Sequence, residues 1–423
     1  MTRIESLEQA EQILSTYVPQ VRELLGKDLT LKRMKPLMDK LGNPEDKLKI
    51  IHIAGTSGKT STAYFIAALL KSAGKRVGLT ISPHISSVTE RVQIDLSPIS
   101  DSKFCSELGE FLDAIEIVEP RPTYFELLVA FAYWYFAKAG VDYAVIETGL
   151  GGSFDATNIA GKSDKICVIT DIGLDHMKVL GQSITEIAGQ KAGIIHHGNQ
   201  VFMNRQSPAV MNVFKSQTQK QKATLNVLSN IHSSREVKEL DSIPAYQQRN
   251  WRLAKNVYDF VAKRHSLPTL NPEQIKQALM VSIPARMETI RWHGKTVFLD
   301  GAHNQQKMKA FVDSFQQLYP DKKADILLAL KTDKEYQAVL PLLRPICNRL
   351  IITGFDTSQD LYIKSIAPQT LATAAKQIGF DEIVVEKNAH KALEHILNGS
   401  NDTVVITGSF YLLGMLRPAI LVA

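Results

Sequence analysis

Short apolar runs alternate along the chain with longer segments in which apolar residues recur every three or four positions. The first pattern predicts buried strands and the second amphipathic helices. Residues 4 to 25 read as a helix, and Lys32 to Leu41 as another, stopped by Gly42-Asn43-Pro44. Lys49 to Ala54 is the first strand. It runs through Gly55-Thr56-Ser57-Gly58-Lys59-Thr60-Ser61 into Thr62–Leu70, which has helical spacing. Gly74 ends that helix, and Arg76 to Ile81 forms the next strand. Helices follow at Phe104 to Ile115 and from Thr123 to Lys138, the latter ended by Gly140. Tyr143 to Ile146, Lys165 to Thr170 and Gln200 to Asn204 read as strands, with a helix from Thr185 to Ile195. Residues 216 to 240 are polar and poorly patterned, which suggests short antiparallel strands. Gln247 to His265 is a long amphipathic helix, and Asn271-Pro272-Glu273 caps a further one that runs to Val281.

Strands and helices alternating at this pitch predict an α/β fold with a mostly parallel sheet flanked by helices. The segment Ser282-Ile283-Pro284-Ala285-Arg286 breaks the pattern and reads as a linker. Beyond it the alternation restarts, with strands at 296–300, 325–330, 349–353, 382–385 and 403–407. The expected organisation is therefore an N-terminal domain, residues 1–283, and a smaller Rossmann-like α/β domain, residues 284–423, of about 140 residues. In such folds ligands sit at the carboxyl ends of the strands, so each strand end merits inspection.

The first strand end carries Gly-x-x-Gly-Lys-Thr, from Gly55 to Thr60. Strand, Gly-rich turn, lysine, hydroxyl and helix form the layout of a phosphate cradle. The usual P-loop has a further glycine where this chain has Ile53, and a tight turn with a solvated lysine is the alternative. Ser82-Pro83-His84 ends the second strand. Thr123 and Glu126 match a capping box, so helix initiation accounts for both without any ligand. Glu147 ends its strand before Gly149, Gly151 and Gly152, placed like the acid that holds Mg²⁺ in nucleotide hydrolases; a turn acid is the alternative. Asp171 to His176 follow the next strand on the side of Lys59 and Glu147, which raises the odds of metal or phosphate contact for His176. Asp300-Gly301-Ala302-His303-Asn304 stands at the first strand end of the second domain.

Composition narrows the classes. The chain has 423 residues, 44% hydrophobic and 22% charged, the balance of a globular protein large enough for a substantial core. Its net charge of +6 is dispersed, which suits anionic small molecules and argues against nucleic acid. The longest apolar run, Leu127 to Ala137, is too short to span a bilayer, and no signal peptide is evident, so no membrane partner is expected. Cys105, Cys167 and Cys347 are widely spaced, which fits a cytoplasmic location and gives no zinc signal.

Taken together, these motifs resemble the folylpolyglutamate synthase/dihydrofolate synthase family, the folate branch of the Mur ligase superfamily. The resemblance rests on His52 to Ser61, Ser82-Pro83-His84 with Glu90-Arg91, Thr123 to Glu126, and Glu147 to Gly152 with Asp155 to Asn158. It continues through Gly173 to His176, Lys191 to Ile195, Pro284 with Arg286, and Asp300 to Asn304. Departures are Ser57 where the family has Asn, Thr60 where Gly is frequent, Ser153-Phe154 for Arg-Leu, and Ala285 for Gly.

The resemblance implies an ATP-dependent ligase. ATP would phosphorylate a folate-type carboxylate, and the amine of L-glutamate would displace phosphate from the acyl phosphate. It implies ATP and two Mg²⁺ ions, with a monovalent cation as a further candidate. Gly55, Thr56, Ser57, Gly58, Lys59 and Thr60 would hold phosphates. Asn250, Arg286 and Asp300 would meet adenine, phosphate and ribose, with His303 in the C-terminal nucleotide contact. Thr60, Ser82 and Glu147 would hold one Mg²⁺, and His176 and Lys191 a second, Lys191 as a carbamate that turns a cation into a bridging carboxylate. Asp155 joins Lys59, His176 and Lys191 in the catalytic set. Asp28, Leu29, Thr30, Thr123, Tyr124, Phe125, Glu126, Phe154, Asp155 and Ala156 would line the pteroate pocket. The expected partners are folate or dihydropteroate, L-glutamate and ATP, on a monomer. One rival is a Mur-type amide ligase for a non-folate carboxylate. Such chains carry an N-terminal domain of about 100 residues, and only about 48 precede the first strand here. A nucleotide-dependent switch is the other rival; it needs neither a second domain nor a lysine near the metals.

Overall fold

The computed structural model describes residues 3–19, 30–116, 118–228, 238–357 and 363–422. The chain forms two compact units. The first comprises residues 1–83, 88–240 and 249–281, the second 84–87, 241–248 and 282–423.

The strands of the first unit are β1 (Ile50–Ala54), β2 (Val77–Thr80), β3 (Gln93–Ile94), β4 (Ser97–Pro98), β5 (Tyr143–Glu147), β6 (Ile166–Ile169), β7 (Gln200–Asn204) and β8 (Thr224–Leu228). They form one eight-stranded sheet in the order β4-β3-β2-β5-β1-β6-β7-β8. Pairing is parallel from β2 through β8, and only β3 and β4 add antiparallel edges. Every residue of β1, β2, β5 and β6 is buried. Parallel strands covered on both faces need such continuous apolar runs, and His52 is the one ionisable residue that β1 admits. The carboxyl ends of β1, β2, β5 and β6 are therefore neighbours.

Helix Lys59–Ser72 is buried from Thr60 to Leu70 and follows β1 directly. Helix Tyr124–Ala139 starts at a complete capping box of Thr123 and Glu126 and ends at Gly140, whose φ of 64° suits glycine. Phe131 meets Phe104 and Phe111 edge-on, each at 5.4 Å, within the core on that side of the sheet.

Two stretches differ from the sequence-based expectation. Residues 208–220 form a helix, Pro208–Lys220, and β8 pairs parallel with β7, where short antiparallel strands were expected. Residues 229–237 lie outside the described residues. The N-terminal helix is Leu7–Ser15, shorter than 4–25, and part of the expected span also lies outside them.

The second unit has β9 (Glu288–Trp292), β10 (Lys295–Asp300), β11 (Ala324–Leu328), β12 (Cys347–Ile352), β13 (Asp356–Thr357), β14 (Ile363–Lys364), β15 (Ile383–Val385) and β16 (Thr403–Thr407). Six of them form a sheet in the order β15-β12-β11-β16-β10-β9. Alternate residues face opposite cores. Phe298, Ile326, Leu328 and Val405 join the core with Phe311 and Phe315, whereas Val297, Leu299, Leu327 and Ile406 join the one with Leu412 and Leu413. Within this six-stranded sheet all pairs are parallel except β9 with β10, and β13 and β14 form a separate antiparallel pair.

Candidate active site

β1 delivers the chain into the turn Gly55–Gly58. Backbone space, more than chemistry, selects glycine at both ends. A Cβ on Gly55 would lie 1.8 Å from the Thr170 hydroxyl, and one on Gly58, at φ 89°, would lie 2.3 Å from the Asn250 amide oxygen. Asn250 is thus packed over the phosphate loop itself. The N–H groups of Thr56 and Ser57 donate to the Asp171 carbonyl at 2.8 and 3.1 Å, and the Thr56 hydroxyl donates to the Gly173 carbonyl. These two amides are tied to the neighbouring strand end, which leaves the first helical turn from Gly58 to Ser61 to meet an anion. That turn carries the positive end of the helix dipole.

Two lysines converge on one carbonyl. Lys59 Nζ donates to Gly55 O at 3.3 Å, and the buried Lys191 Nζ donates to the same oxygen at 2.9 Å. Lys191 comes from helix Ile184–Ala192, whose N-terminus is fixed by a Ser183–Glu186 capping box. Its last turn abuts the Gly-rich loop so closely that a Cβ on Gly152 would lie 2.6 Å from the Gln190 carbonyl.

Glu147, almost fully buried, closes β5 and bridges two elements. Its Oε1 accepts the Thr60 hydroxyl at 3.0 Å and its Oε2 faces the Ser82 N–H at 3.4 Å. The Ser82 hydroxyl is buried without a hydrogen-bond partner, as is that of Ser57. One carboxylate and two hydroxyls, one of them unpartnered, are hard oxygen donors of the kind Mg²⁺ accepts beside substrate phosphates. A single carboxylate with hydroxyls beside it leaves much of a Mg²⁺ shell to water and substrate phosphate. A narrow cleft opens here, lined by Ser82, Arg91, Phe125 and Glu147. Arg91, to which the strand-end reading gave no role, is buried with its guanidinium 5.4 Å from the Tyr124 ring centre.

His176 follows the end of β6. It is left-handed at φ 51°, its side chain is 48% exposed, and its Nε2 lies 3.9 Å from Asp175 Oδ1. Asp171, whose carbonyl holds the phosphate loop, is paired through its carboxylate with Arg249 at 2.9 Å.

Asp155 looks inward. Its Oδ2 accepts the Leu150 N–H at 2.7 Å, and its Oδ1 accepts the N–H and the hydroxyl of Thr157. Burial raises its pKa and these hydrogen bonds oppose the rise. Both oxygens are thus committed to the loop 148–157, which makes Asp155 the organiser of that loop. Phe154 is 49% exposed, an unusual position for an aromatic ring, and Ala156 is buried. Phe125 packs on Gly149, where a Cβ would be 2.3 Å from the ring. Glu126 is likewise committed: it accepts from the Thr123 N–H and hydroxyl and pairs with Arg33 at 2.8 Å. Thr30 caps Lys32 N–H at 3.2 Å, while Asp28 and Leu29 lie outside the described residues.

In the second unit Asp300 closes β10. It accepts the Met287 and Ala302 N–H groups, each at 2.8 Å, and the Tyr246 hydroxyl at 3.2 Å. Burial raises its pKa and Arg286 opposes that. Arg286 lies 4.5 Å from the Phe410 ring centre, and His303 meets the same ring edge-on at 5.7 Å. His303 Nδ1 is 2.7 Å from the Gly301 carbonyl and its Nε2 is 3.1 Å from Lys307 Nζ. Acting as donor to Gly301, the ring offers Nε2 to Lys307, a residue that no sequence motif indicated. Its spacing of four from His303 across the start of helix Gln305–Leu318 was the available signal.

Comparison with known proteins matches residues 53–254 to the Mur ligase middle domain and residues 285–418 to the C-terminal domain of dihydrofolate synthetase. The dihydrofolate synthase/folylpolyglutamate synthase of Bacillus subtilis is 30% identical, over 92% of this chain and 94% of that protein. The folylpolyglutamate synthase of Lacticaseibacillus casei is 32% identical over the same shares. The structure of Mycobacterium tuberculosis folylpolyglutamate synthase complexed with ADP superposes with a TM-score of 0.84 at 28% identity, covering 98% of each chain.

Proposed function

This chain belongs to the folylpolyglutamate synthase/dihydrofolate synthase family of Mur-type ligases and is an ATP-dependent ligase that adds L-glutamate to a folate-type carboxylate; from that premise we propose how its residues divide the work. The γ-phosphoryl group of ATP passes to the acceptor carboxylate, giving an acyl phosphate and ADP. The glutamate amine then attacks the carbonyl carbon, phosphate leaves, and the ammonium proton is lost to solvent. A phosphoryl transfer of this kind needs positioning and compensation of negative charge more than covalent help from the protein.

The convergence of Lys59, Lys191, Thr60, Ser82 and Glu147 at the ends of β1, β2 and β5 is the observation that carries this assignment. Lys59 and the first turn of its helix offset the charge of the β- and γ-phosphates, with Gly55, Thr56, Ser57 and Gly58 shaping the turn. Thr60, Ser82 and Glu147 would hold Mg²⁺, and a second ion would draw on His176 and a carbamylated Lys191. Bound Mg²⁺ supplies Lewis-acid stabilisation of phosphate charge. Asn250, over the phosphate loop, is assigned to the nucleotide, as are Arg286, Asp300 and His303 in the second unit. Phe125 and Phe154 offer apolar surface to the acceptor ring system, with Tyr124 and Ala156 behind them. Thr123, Glu126 and Asp155 shape that wall through the hydrogen bonds described above. We assign residues 1–283 to the ATP-binding domain and 284–423 to the C-terminal domain, acting as a monomer in the cytoplasm. Three free cysteines support that compartment, and no helix among the described residues is long and apolar enough to cross a membrane.

The test is ADP release measured side by side with dihydropteroate or tetrahydrofolate, with and without L-glutamate. Release that requires a folate-type acceptor and glutamate together is expected. Release indifferent to both would overturn the assignment.

A further inference from the structure

β1 buries one ionisable side chain, His52, fully inaccessible and three residues before Gly55, where the phosphate loop begins. No step of the reaction uses it. Its Nε2 lies 2.9 Å from the Thr157 hydroxyl and 2.9 Å from the Thr148 hydroxyl. Those threonines bracket the loop 148–157, which follows Glu147 and carries Phe154.

The direction of the hydrogen bonds can be worked out. The Thr157 hydroxyl donates its one proton to Asp155 Oδ1. Asp155 is a pure acceptor here, since the Leu150 and Thr157 N–H groups also point at its oxygens. Toward His52, Thr157 can therefore only accept, so the imidazole proton is on Nε2. His52 Nδ1 is buried with no partner, and the lone-pair nitrogen is the cheaper of the two to leave so, because a buried orphan N–H is the rarer and costlier defect. Burial, with the charge of Lys165 adding to it, keeps the ring neutral by pushing its pKa well below the ordinary value.

We propose that His52 is a positioning residue for acceptor binding: its Nε2–H, shared by the Thr148 and Thr157 oxygens, ties both ends of the loop 148–157 to β1 and so fixes the surface that Phe154 presents. The proposal rests on the reading that this loop meets the acceptor. The loop's other supports hold it from different sides. Asn158 Nδ2 donates to Ser153 O and Gly193 O, each at 3.1 Å, and Tyr133 donates to Thr157 O at 2.8 Å. From the strand that leads into the phosphate cradle, the Ile53 carbonyl accepts the Thr148 N–H at 2.9 Å and so holds one end of the loop, whereas the His52 ring touches both ends at once.

Three variants test it. His52→Gln keeps an N–H donor near the Nε2 position, His52→Leu keeps bulk without a donor, and Phe154→Ala removes the acceptor-facing ring. Expected for His52→Leu are faster amide exchange confined to residues 148–158 and an acceptor KM raised about tenfold, the scale of one lost buried hydrogen bond. The ATP KM should stay within about twofold, and His52→Gln should recover most of the loss. In the unsubstituted protein the imidazole ¹⁵N shifts should report the Nε2–H tautomer. The proposal is overturned if ATP and acceptor KM rise together, if His52→Gln is as impaired as His52→Leu while folded, or if the proton is on Nδ1. An acceptor KM that responds to Phe154→Ala but not to His52→Leu also overturns it. If Phe154→Ala leaves the acceptor KM unchanged, the reading of the loop as acceptor wall fails instead, and faster loop exchange in His52→Leu still reports the tie to β1.

Discussion

Lys59 and Lys191 both donate to the Gly55 carbonyl, and replacing each is expected to lose activity for a different reason. Lys59→Ala removes the point charge nearest the helix N-terminus without opening a core cavity. Its ATP turnover should fall by about 10²–10³-fold, the cost of losing one preorganised electrostatic contact, while the melting temperature changes little. Near-normal turnover would sink the phosphate-cradle assignment. Lys191→Ala should lose comparable activity, and short carboxylic acids should restore part of it if the native side chain works as a carbamate. A carbamate nitrogen keeps one N–H, so modification is compatible with the bond to Gly55 O. Activity that is indifferent both to Lys191→Ala and to CO₂ depletion would refute that role. Lys59, Thr60 and Glu147 were legible in the sequence because each stands at a strand end beside glycines, and their signal is local. His52 and Arg91 entered only as members of motifs, with no role attached, and Lys307 did not enter at all. A histidine inside an apolar run, an arginine in a short turn and a lysine on a helix acquire meaning only from neighbours far away in sequence, such as Thr148 and Thr157 for His52.

Among the elements, helix Tyr124–Ala139 shows how one carboxylate can serve structure so fully that little of it remains for a ligand. Glu126 completes the capping box and takes the Arg33 guanidinium on both oxygens. Glu126→Ala should cost about 2 kcal/mol or more, combining a lost cap with a broken, largely buried ion pair. Glu126→Gln, which can still accept from Thr123, should cost less. Denaturant melts give the stability, and an acceptor KM unchanged in Glu126→Gln would place this residue's contribution in the helix. A raised acceptor KM at unchanged stability would return it to the pocket. The central strands and their helices were legible because parallel strands buried on both faces leave an unbroken apolar run. Helix Pro208–Lys220 was not, although Val210, Met211, Phe214 and Thr218 bury at helical spacing and Pro208 occupies a first-turn position. Its many polar residues dilute that stripe. β8 escaped for the complementary reason: as an edge strand it is only half-buried, so its alternation is weak. The β9–β10 hairpin turns on His293-Gly294, both at positive φ, a two-residue turn whose glycine is its one sequence mark.

For the whole molecule, burial of ionisable groups sets opposing pH responses. His196, hydrogen-bonded to Asn158 at 2.9 Å, is pushed down to about 4 by burial and then by the charge of Lys165. The unfolded chain takes up that proton near the ordinary 6.5, so His196 withdraws stability as pH falls from about 6.5 toward 4. Glu45 acts in the other direction. It is buried with Oε2 unpartnered, and desolvation lifts its pKa to about 7. The fold keeps a proton that the unfolded chain releases near 4.5, so Glu45 withdraws stability as pH rises from about 4.5 through 7. Glu45→Gln mimics the protonated acid. It should raise the melting temperature at pH 8 and leave it nearly unchanged at pH 5, because at pH 5 the native side chain is already mostly neutral in the fold. His196→Gln has the opposite signature: whatever it costs through the Asn158 contact, it should cost less at pH 5 than at pH 8, since it abolishes the acid penalty. Calorimetry of the three proteins at both pH values separates the effects. If each variant shifts the two melting temperatures equally, burial of these groups does not govern the pH response, and the acid and alkaline limits of the fold must come from other charges.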